Sequence, residues 1–525
     1  MNSPLPFDPC GLEFVKGQGL VRQLYEHLRE RVLDGRLSGG VRLPASRDLA
    51  AVLGLSRNTV MRAYEQLTVE GFTEARVGDG TYVAVTPTAQ RHSSFAARSS
   101  TELSTGNPIG LTTGLSTETT VFASSCTPLT SAYSRALADG LAMPKKGPPR
   151  AFQVGIPAFD LFPFDVWGKL YSAFWRNPDL SAFTYQDPAG EEALRDKVAT
   201  YLRSSRGLSC NADQIVITCG AQQGISLCAQ LLLEPGDYAA VENPGYRAAG
   251  HALASAGARL VGIDVDGEGL SVEALSQAPP CKVAYVTPAH QYPTGVTMSL
   301  ARRLQLLEWA RRAGGWIIED DYDGEYRYSG APLAPLAALD PNGRVIYVGT
   351  FGKVAFPALR LGYLVLPPGL APVFARRRAV DIRHSEVASQ WVMTQFILRG
   401  HFQRHIRRMR KAALGRRNAL LDAWPQSLPG CSPMPAVSAG LHVKVDVSTA
   451  EREAELVRLA GDAAVDIQPL SSYWLPGSDT PVDKRAGLVL GFAGINEHAI
   501  RAAVSRLKTA WRISPWPAAL GRQAR

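Results

Sequence analysis

Lys353 stands just beyond the apolar run VIYVGT, on a short loop that contains Gly352. A lysine amine delivered at the end of a strand can capture a carbonyl as an imine, the step that pyridoxal 5'-phosphate chemistry begins with. That chemistry also needs a carboxylate on the pyridine nitrogen and a cradle for a phosphate. Asp320 closes the apolar run WIIED upstream of the lysine, where it can hold the ring nitrogen protonated and keep the ring an electron sink. Gly220, Ala221 and Gln222 join a strand-like IVIT to a helix-like GISLCAQLLL, and backbone N–H groups at a helix start suit a phosphate. Thr350 and Arg360 offer a hydroxyl and a guanidinium to the same phosphate. Tyr246, in ENPGY, is placed to stack on the ring, and Tyr322 to donate to its hydroxyl. Singly, each has an ordinary explanation: a surface lysine, a turn aspartate, a core aromatic. Together they describe one site.

Near the other end the residues suit a different partner. Arg57, Asn58, Thr59 and Arg62 open a helical run after LGLS, behind a shorter run that begins SRDLA. Two short helices about a tight turn spell a helix-turn-helix, whose second helix faces base edges in the major groove. Arginine pairs two-pronged with guanine and asparagine with adenine, each worth roughly 1–3 kcal/mol of discrimination. Arg47 is placed to reach a phosphate from the preceding helix. Arg76 and the tip from Gly78 to Gly80 would lie along the sugar-phosphate backbone. The partner expected is double-stranded DNA. A three-helix packing module is the plainer alternative.

The elements that must carry these residues follow from periodicity. Leu20, Leu24, Leu28, Val32 and Leu33 recur at helical spacing and stop at Gly35. Ser46 is expected to cap a second helix stopped by Gly54, and Ser56 a third that ends near Gly71. FTEARVGDGTYVAV alternates about its Gly-Asp-Gly tip, as a hairpin does. Three helices and a hairpin make a winged helix, expected over residues 12–85. Across 86–150 Ser, Thr, Gly and Pro dominate, which predicts a partly disordered linker, with a helical stretch at 129–142. A flexible chain of that length spans roughly 45 Å. From 151 to 510 strand-like and helical runs alternate, predicting an α/β fold around a largely parallel sheet. Residues 511–525 are expected to be a tail.

Bulk properties narrow the classes. A chain of 525 residues exceeds one core, and 46% hydrophobic with 20% charged residues is ordinary for a globular protein. No apolar run is long enough to span a membrane and the N-terminal stretch lacks the pattern of a secretory signal, so a cytoplasmic location is expected. The seven cysteines form no C-x-x-C pair, which favours reduced thiols and no metal site. The net charge of +9 suits a nucleic-acid partner. The run RHIRRMRKAALGRR (404–417) fits either a solvated helix face or a second DNA contact.

The segments LPASRDLA, LGLSRNTV, AYEQLTVEGF and RVGDGTYV resemble a GntR-type winged helix. VTPAHQYPTGVTMSLARRLQLL, IIEDDYDGEYRYSG and TFGKVAFPALRLGYLVLP resemble fold-type I aminotransferases over about 151–508. Together they resemble the MocR family of pyridoxal-phosphate-dependent regulators. The resemblance implies an imine at Lys353, Asp320 on the pyridine nitrogen and Tyr322 near the ring oxygen. It also implies a head-to-tail homodimer with each DNA module near the other subunit's sensor lobe. There are departures. Tyr292 stands where aminotransferases often have Asn, and Gly352 where Ser is usual, which removes one phosphate contact. Some members hold an amino-acid carboxylate with two arginines; the matching positions here are Ala248 and Val489, with Arg247 and Arg485 only nearby. That points away from a carboxylate-anchored effector, toward another amino compound or the cofactor itself. The implied function is a PLP-dependent transcriptional regulator rather than an enzyme. The alternatives are an active aminotransferase with an accessory head, and a plain repressor on an inert scaffold. Intact Lys353, Asp320 and Arg360 argue against the last.

Overall fold

The computed structural model describes residue 14 and residues 19–76, 78–84, 147–176, 179–330, 333–478 and 480–513. The expected linker, apart from 147–150, lies outside the described residues, as do the proposed helical stretch at 129–142 and residues 514–525.

The N-terminal head consists of α1 (Leu20–Leu33), α2 (Ser46–Leu53) and α3 (Arg57–Val69), then β1 (Thr73–Arg76) and β2 (Gly80–Val83). The two strands pair antiparallel, with Arg76 opposite Gly80. Leu24, Leu28, Leu49, Val60, Ala63 and Leu67 are fully buried and fix how the three helices pack. Ser56 caps α3 by accepting the Thr59 N–H at 3.1 Å, and Gly54 ends α2 in the left-handed conformation. The cap expected of Ser46 is not formed. Extended backbone at Ala45 makes that residue the cap position and starts the helix one residue earlier than expected, so Ser46 is already helical.

The large lobe is built on an eight-stranded sheet. Its strands are β3 (Ile215–Thr218), β4 (Tyr238–Asn243), β5 (Arg259–Asp266), β6 (Gly269–Leu270), β7 (Cys281–Val286), β8 (Trp316–Asp320), β9 (Val345–Thr350) and β10 (Gly362–Val365). Their order is β3-β10-β9-β8-β7-β4-β5-β6. The five inner strands β9, β8, β7, β4 and β5 run parallel, while β10 is antiparallel to both neighbours. β3 is buried along its whole length and apolar up to its final Thr218, as suits a strand covered on both faces. Helices alternate with these strands: α4 (Phe164–Arg176), α5 (Glu192–Arg206), α6 (Ala221–Leu232), α7 (Arg247–Ser255), α8 (Val272–Gln277), α9 (Leu300–Ala313), α10 (Leu336–Leu339), α11 (Ala371–Ile382) and α12 (Val387–Leu398). The long α13 (His401–Ala423) leads to a three-stranded antiparallel sheet, β11 (His442–Asp446), β12 (Gln468–Pro469) and β13 (Gly487–Gly491), with α14 (Ala450–Asp462) and α15 (Glu497–Ile513). The tail expected from 511 begins inside α15. Trp511 is buried against Trp424, ring centroids 5.7 Å apart, and its indole N–H reaches the Leu456 carbonyl.

The basic run on α13 is largely consumed within the lobe. Arg416 is buried on Asp160 and the Ala493 carbonyl, Arg410 donates to the Glu325 carbonyl, and Arg417 lies over the Tyr328 ring. Arg408 reaches the Leu161 carbonyl and Arg404 that of Arg399. Arg407 and Lys411 remain exposed. Among the described residues no helix is long and apolar enough to cross a membrane.

Head and lobe meet along a seam. Leu24, Leu28, Leu67 and Phe72 belong to the same apolar cluster as Leu300, Leu307, Leu336 and Leu339. Gly71 packs so closely that an added Cβ would stand 3.0 Å from Leu300 Cβ. Arg29 donates to the Ala338 carbonyl at 2.8 Å and Arg22 to that of Ser204 at 2.6 Å. Within one chain, the head therefore rests on its own large lobe.

Candidate functional site

In open α/β sheets ligands gather at the carboxyl ends of the strands, and the sequence-predicted cofactor residues converge there. β8 ends on Asp320, β9 on Thr350, and β3 runs through Thr218 into Gly220. Asp320 is buried. Its Oδ2 accepts the Tyr285 hydroxyl at 2.8 Å, while its Oδ1 is buried with no hydrogen-bond partner among the described residues. Burial pushes this carboxyl up to about 7, with the Tyr285 bond pulling the other way. A lone carboxylate oxygen without a donor is costly inside a protein. It is a socket for an N–H.

Lys353 lies in the same site. Its amine donates to the Gly155 carbonyl at 2.8 Å. Burial draws the amine below the usual lysine range, and the carboxylates of Asp323 and Asp320 oppose that. A neutral amine is the nucleophilic form. A Cβ on Gly155 would sit 2.9 Å from Nζ, so glycine there leaves the amine its room.

The candidate phosphate cradle forms where β3 turns into α6. Gly220 precedes the helix at φ +81°, and a Cβ on it would stand 3.4 Å from the Arg360 guanidinium. Arg360 itself holds a left-handed φ of +50°, rare for a residue with a side chain, and donates to the Cys219 carbonyl at 2.8 Å. Thr350 Oγ1 accepts the Gly352 N–H at 3.0 Å. Ala221 opens α6, and Gln222 follows it. The Gln222 amide is committed sideways: it donates to the Ala248 carbonyl at 2.9 Å and accepts the Tyr246 hydroxyl at 3.1 Å. Gln222 thus fixes the ring of Tyr246.

Sequence reasoning missed a buried group behind Tyr322. The Tyr322 hydroxyl lies 2.9 Å from the His290 carbonyl and 3.0 Å from His290 Nδ1, and that nitrogen lies 3.0 Å from Asp323 Oδ2. His442 packs on His290 with centroids 4.7 Å apart, and its Nε2 is 3.1 Å from the Pro293 carbonyl. His290, Asp323 and His442 are close enough for one metal ion to reach all three, a cluster that counting cysteines did not find. One ring nitrogen of each histidine, His290 Nδ1 and His442 Nε2, already serves hydrogen bonds in the network just described. The signal was present in HQYP and DDYD, yet nothing in the sequence says that positions 290, 323 and 442 meet.

On the side where an effector carboxylate would dock, Val489 is buried with Leu470 and Tyr473. Arg247 donates to the Trp474 carbonyl, and Arg485 to the carbonyls of Thr480 and Ser478. Both guanidiniums are bound to one loop. The wall here is aromatic: Tyr292 lies against Tyr246, Tyr322 and Tyr473, its hydroxyl 3.2 Å from that of Tyr473.

In the head, Arg57, Asn58 and Arg62 are exposed at the start of α3, with Thr59 half-buried beside them. Arg57 Nε reaches only as far as Ser46 Oγ, at 3.4 Å. Arg47 is exposed on α2, and Gly78 at the hairpin tip. Arg76 folds over the Tyr82 ring, 4.2 Å from its centroid, and Tyr82 donates to Asp79 at 2.8 Å, so the wing carries an ordered cation.

The family described as bacterial regulatory proteins, gntR family, matches residues 20–83, and aminotransferase class I and II matches residues 172–443. The chain is similar to the probable rhizopine catabolism regulatory protein MocR of Rhizobium meliloti, 34% identical over 490 residues that cover 93% of each chain. It is also similar to the HTH-type pyridoxine biosynthesis transcriptional regulator PdxR of Corynebacterium glutamicum, 29% identical over 96% of this chain and 98% of that one. Among solved structures, the Pyrococcus horikoshii kynurenine aminotransferase aligns with a TM-score of 0.62 at 28% identity, covering 73% of this chain and 95% of that one.

Proposed function

Since the chain belongs to the MocR family of regulators, a GntR-type head joined to a fold-type I aminotransferase-like lobe, we propose that it binds operator DNA through α3 and the wing and holds pyridoxal 5'-phosphate in the large lobe. The observation that carries the cofactor part is the buried, partnerless Oδ1 of Asp320 in the site that also holds the Lys353 amine. A protonated ring nitrogen is the donor that such an oxygen lacks. The residues fit the group: Lys353 for its aldehyde, Asp320 for its ring nitrogen, Tyr246 for its face, and Gly220, Ala221, Gln222, Thr350 and Arg360 for its phosphate. When bound, the cofactor supplies an electrophilic carbon and an electron-accepting ring.

The signal is either the cofactor or a small amino compound. With Arg247 and Arg485 bound to loop carbonyls, the site offers neither arginine to an amino-acid carboxylate. The same observation weighs against steady transamination, although intact Lys353 and Asp320 leave a half-reaction within reach. Two segments that leave the site end on the head. One runs from His290 and Tyr292 to Met298 and Leu300, the other from Asp320 to Arg327 and Gly330. Met298, Leu300 and Arg327 line, with Glu70 and Phe72 of the head, a cavity of about 390 Å³ at the seam. A change at the cofactor site that favours one arrangement of these segments would bias the head by its differential affinity for the two states.

A second copy of the chain is part of this reading. Trp175, Phe183, Tyr185 and Val380 are exposed apolar or aromatic side chains on the lobe, suited to a homodimer contact. A linker over 86–150 has the reach to set each head on either lobe of such a pair. The test is to footprint the full protein on the DNA flanking its own gene, with and without pyridoxal phosphate, and to trap the cofactor with borohydride. Label on the Lys353 peptide and a footprint that changes with the cofactor support the reading. A protein that never takes label, or a footprint indifferent to the cofactor, refutes it.

A further inference from the structure

Tyr322 has support that the cofactor reading does not use. His290 and Asp323 are 4% and 2% exposed, so neither can trade its hydrogen bonds for water. A carboxylate beside His290 Nδ1 makes that nitrogen the protonated one. Its N–H is then shared between Asp323 Oδ2 and the Tyr322 oxygen, each 3.0 Å away. With its oxygen accepting from His290, Tyr322 directs its own proton elsewhere. The acceptor in the described structure is the His290 carbonyl at 2.9 Å. The histidine is built in tightly: a Cβ on Gly440 would come within 1.9 Å of its ring, and one on Gly295 within 3.2 Å. Glycines on two separate segments thus keep the place the imidazole fills.

Resting on the cofactor reading above, we infer that Asp323 and His290 are positioning residues for Tyr322, holding its oxygen as an acceptor so that its proton is offered to the cofactor's ring oxygen. The other groups that face Tyr322 are Tyr292, Asp320 and Glu242. His442 closes the far side of His290, and burial keeps it neutral. Asp323 also acts on Lys353 by charge, and the two routes differ in sign. Losing a donor to the ring oxygen makes that oxygen a stronger partner for a protonated nitrogen on Lys353, which raises the pH at which the bound cofactor's visible band changes. Losing only a nearby negative charge lowers that pH.

The experiment is a spectrophotometric pH titration of the full chain loaded with pyridoxal phosphate, for the parent, Tyr322→Phe, Asp323→Asn, His290→Gln and the Tyr322→Phe/His290→Gln pair. Tyr322→Phe is expected to raise the midpoint by about one pH unit, the size of one hydrogen bond. Asp323→Asn and His290→Gln should each raise it, and the pair should move no further than Tyr322→Phe alone. A midpoint that falls or stays put in both His290→Gln and Asp323→Asn overturns the inference, as does a pair whose shifts add. Stoichiometric metal in the parent, lost in His290→Gln, overturns it as well, because the trio would then be an ion site. A parent that takes up no cofactor fails the functional reading, whereas a coloured parent with unmoved variants fails this inference alone.

Discussion

In the head, the side chains proposed to read DNA stand in solvent with little to hold them; in the large lobe, those proposed to hold the cofactor are locked into a buried network. Arg57 has one long contact to Ser46, and Asn58 and Arg62 point from an exposed helix face. Tyr322, His290 and Asp323 are linked by contacts of 3.0 Å, and Asp320 is held by the Tyr285 hydroxyl at 2.8 Å. The contrast follows from the partners. A DNA duplex brings its own ordered phosphates and base edges, so the protein need only present cations on a rigid helix. A small cofactor brings few contacts, so the protein must pre-build each one and keep water away.

The comparison breaks first at Lys353. Lys353→Ala is expected to abolish borohydride-fixed cofactor while leaving the head's basal DNA affinity intact; measured together, mass spectrometry and gel shift separate the two lobes. Asp320→Ala removes the acceptor for a ring N–H, a charge-assisted bond, and should weaken cofactor binding about 10- to 100-fold by equilibrium titration. In the head, Arg57→Ala should flatten preference at one base pair by about 1–3 kcal/mol, whereas Arg47→Ala should weaken all sequences alike and lower the salt slope by about 1. Competition binding at several salt concentrations distinguishes them.

A smaller effect separates the lobes by pH. Burial pushes Glu242, Glu319, Asp320 and Glu325 up to about 7 each. A carboxyl raised in the folded state keeps its proton after the unfolded chain has released it. Stability therefore falls as pH rises from the ordinary carboxylate range, about 4, to about 7. Cofactor-free protein should melt lower at about pH 8 than at about pH 5. Pyridoxal phosphate should narrow that gap by placing a positive ring nitrogen against Asp320. Smallest of all, Arg407→Ala on α13 should leave the salt slope unchanged, since Arg404, Arg408, Arg410, Arg416 and Arg417 of that basic run are engaged within the lobe.

Local periodicity carried much of the architecture. Helical spacing and the Ser56 cap located α3, and Gly54 marked the end of α2, because those signals are written in neighbouring residues. Strand-end positions for Asp320 and Thr350 could be read the same way. Ser46 misled, since an extended Ala45 starts the helix one residue earlier than a serine cap before an apolar run suggests. Trp511 sat in what composition marked as a tail, and only its packing on Trp424 places it in the core. The His290–Asp323–Tyr322 group was not readable, because its members lie on different loops and meet only after the sheet has formed. Nor was the fate of Arg410 and Arg416, whose acceptors are carbonyls and one carboxylate far away along the chain.

The shared apolar seam has a mechanical corollary. Leu67 and Phe72 of the head and Leu300 and Leu339 of the lobe belong to one continuous greasy interior, so the two parts are not beads on a string. Swinging the head away would wet that interior on both sides, and no such swing is tolerable unless another surface slides in to keep it dry.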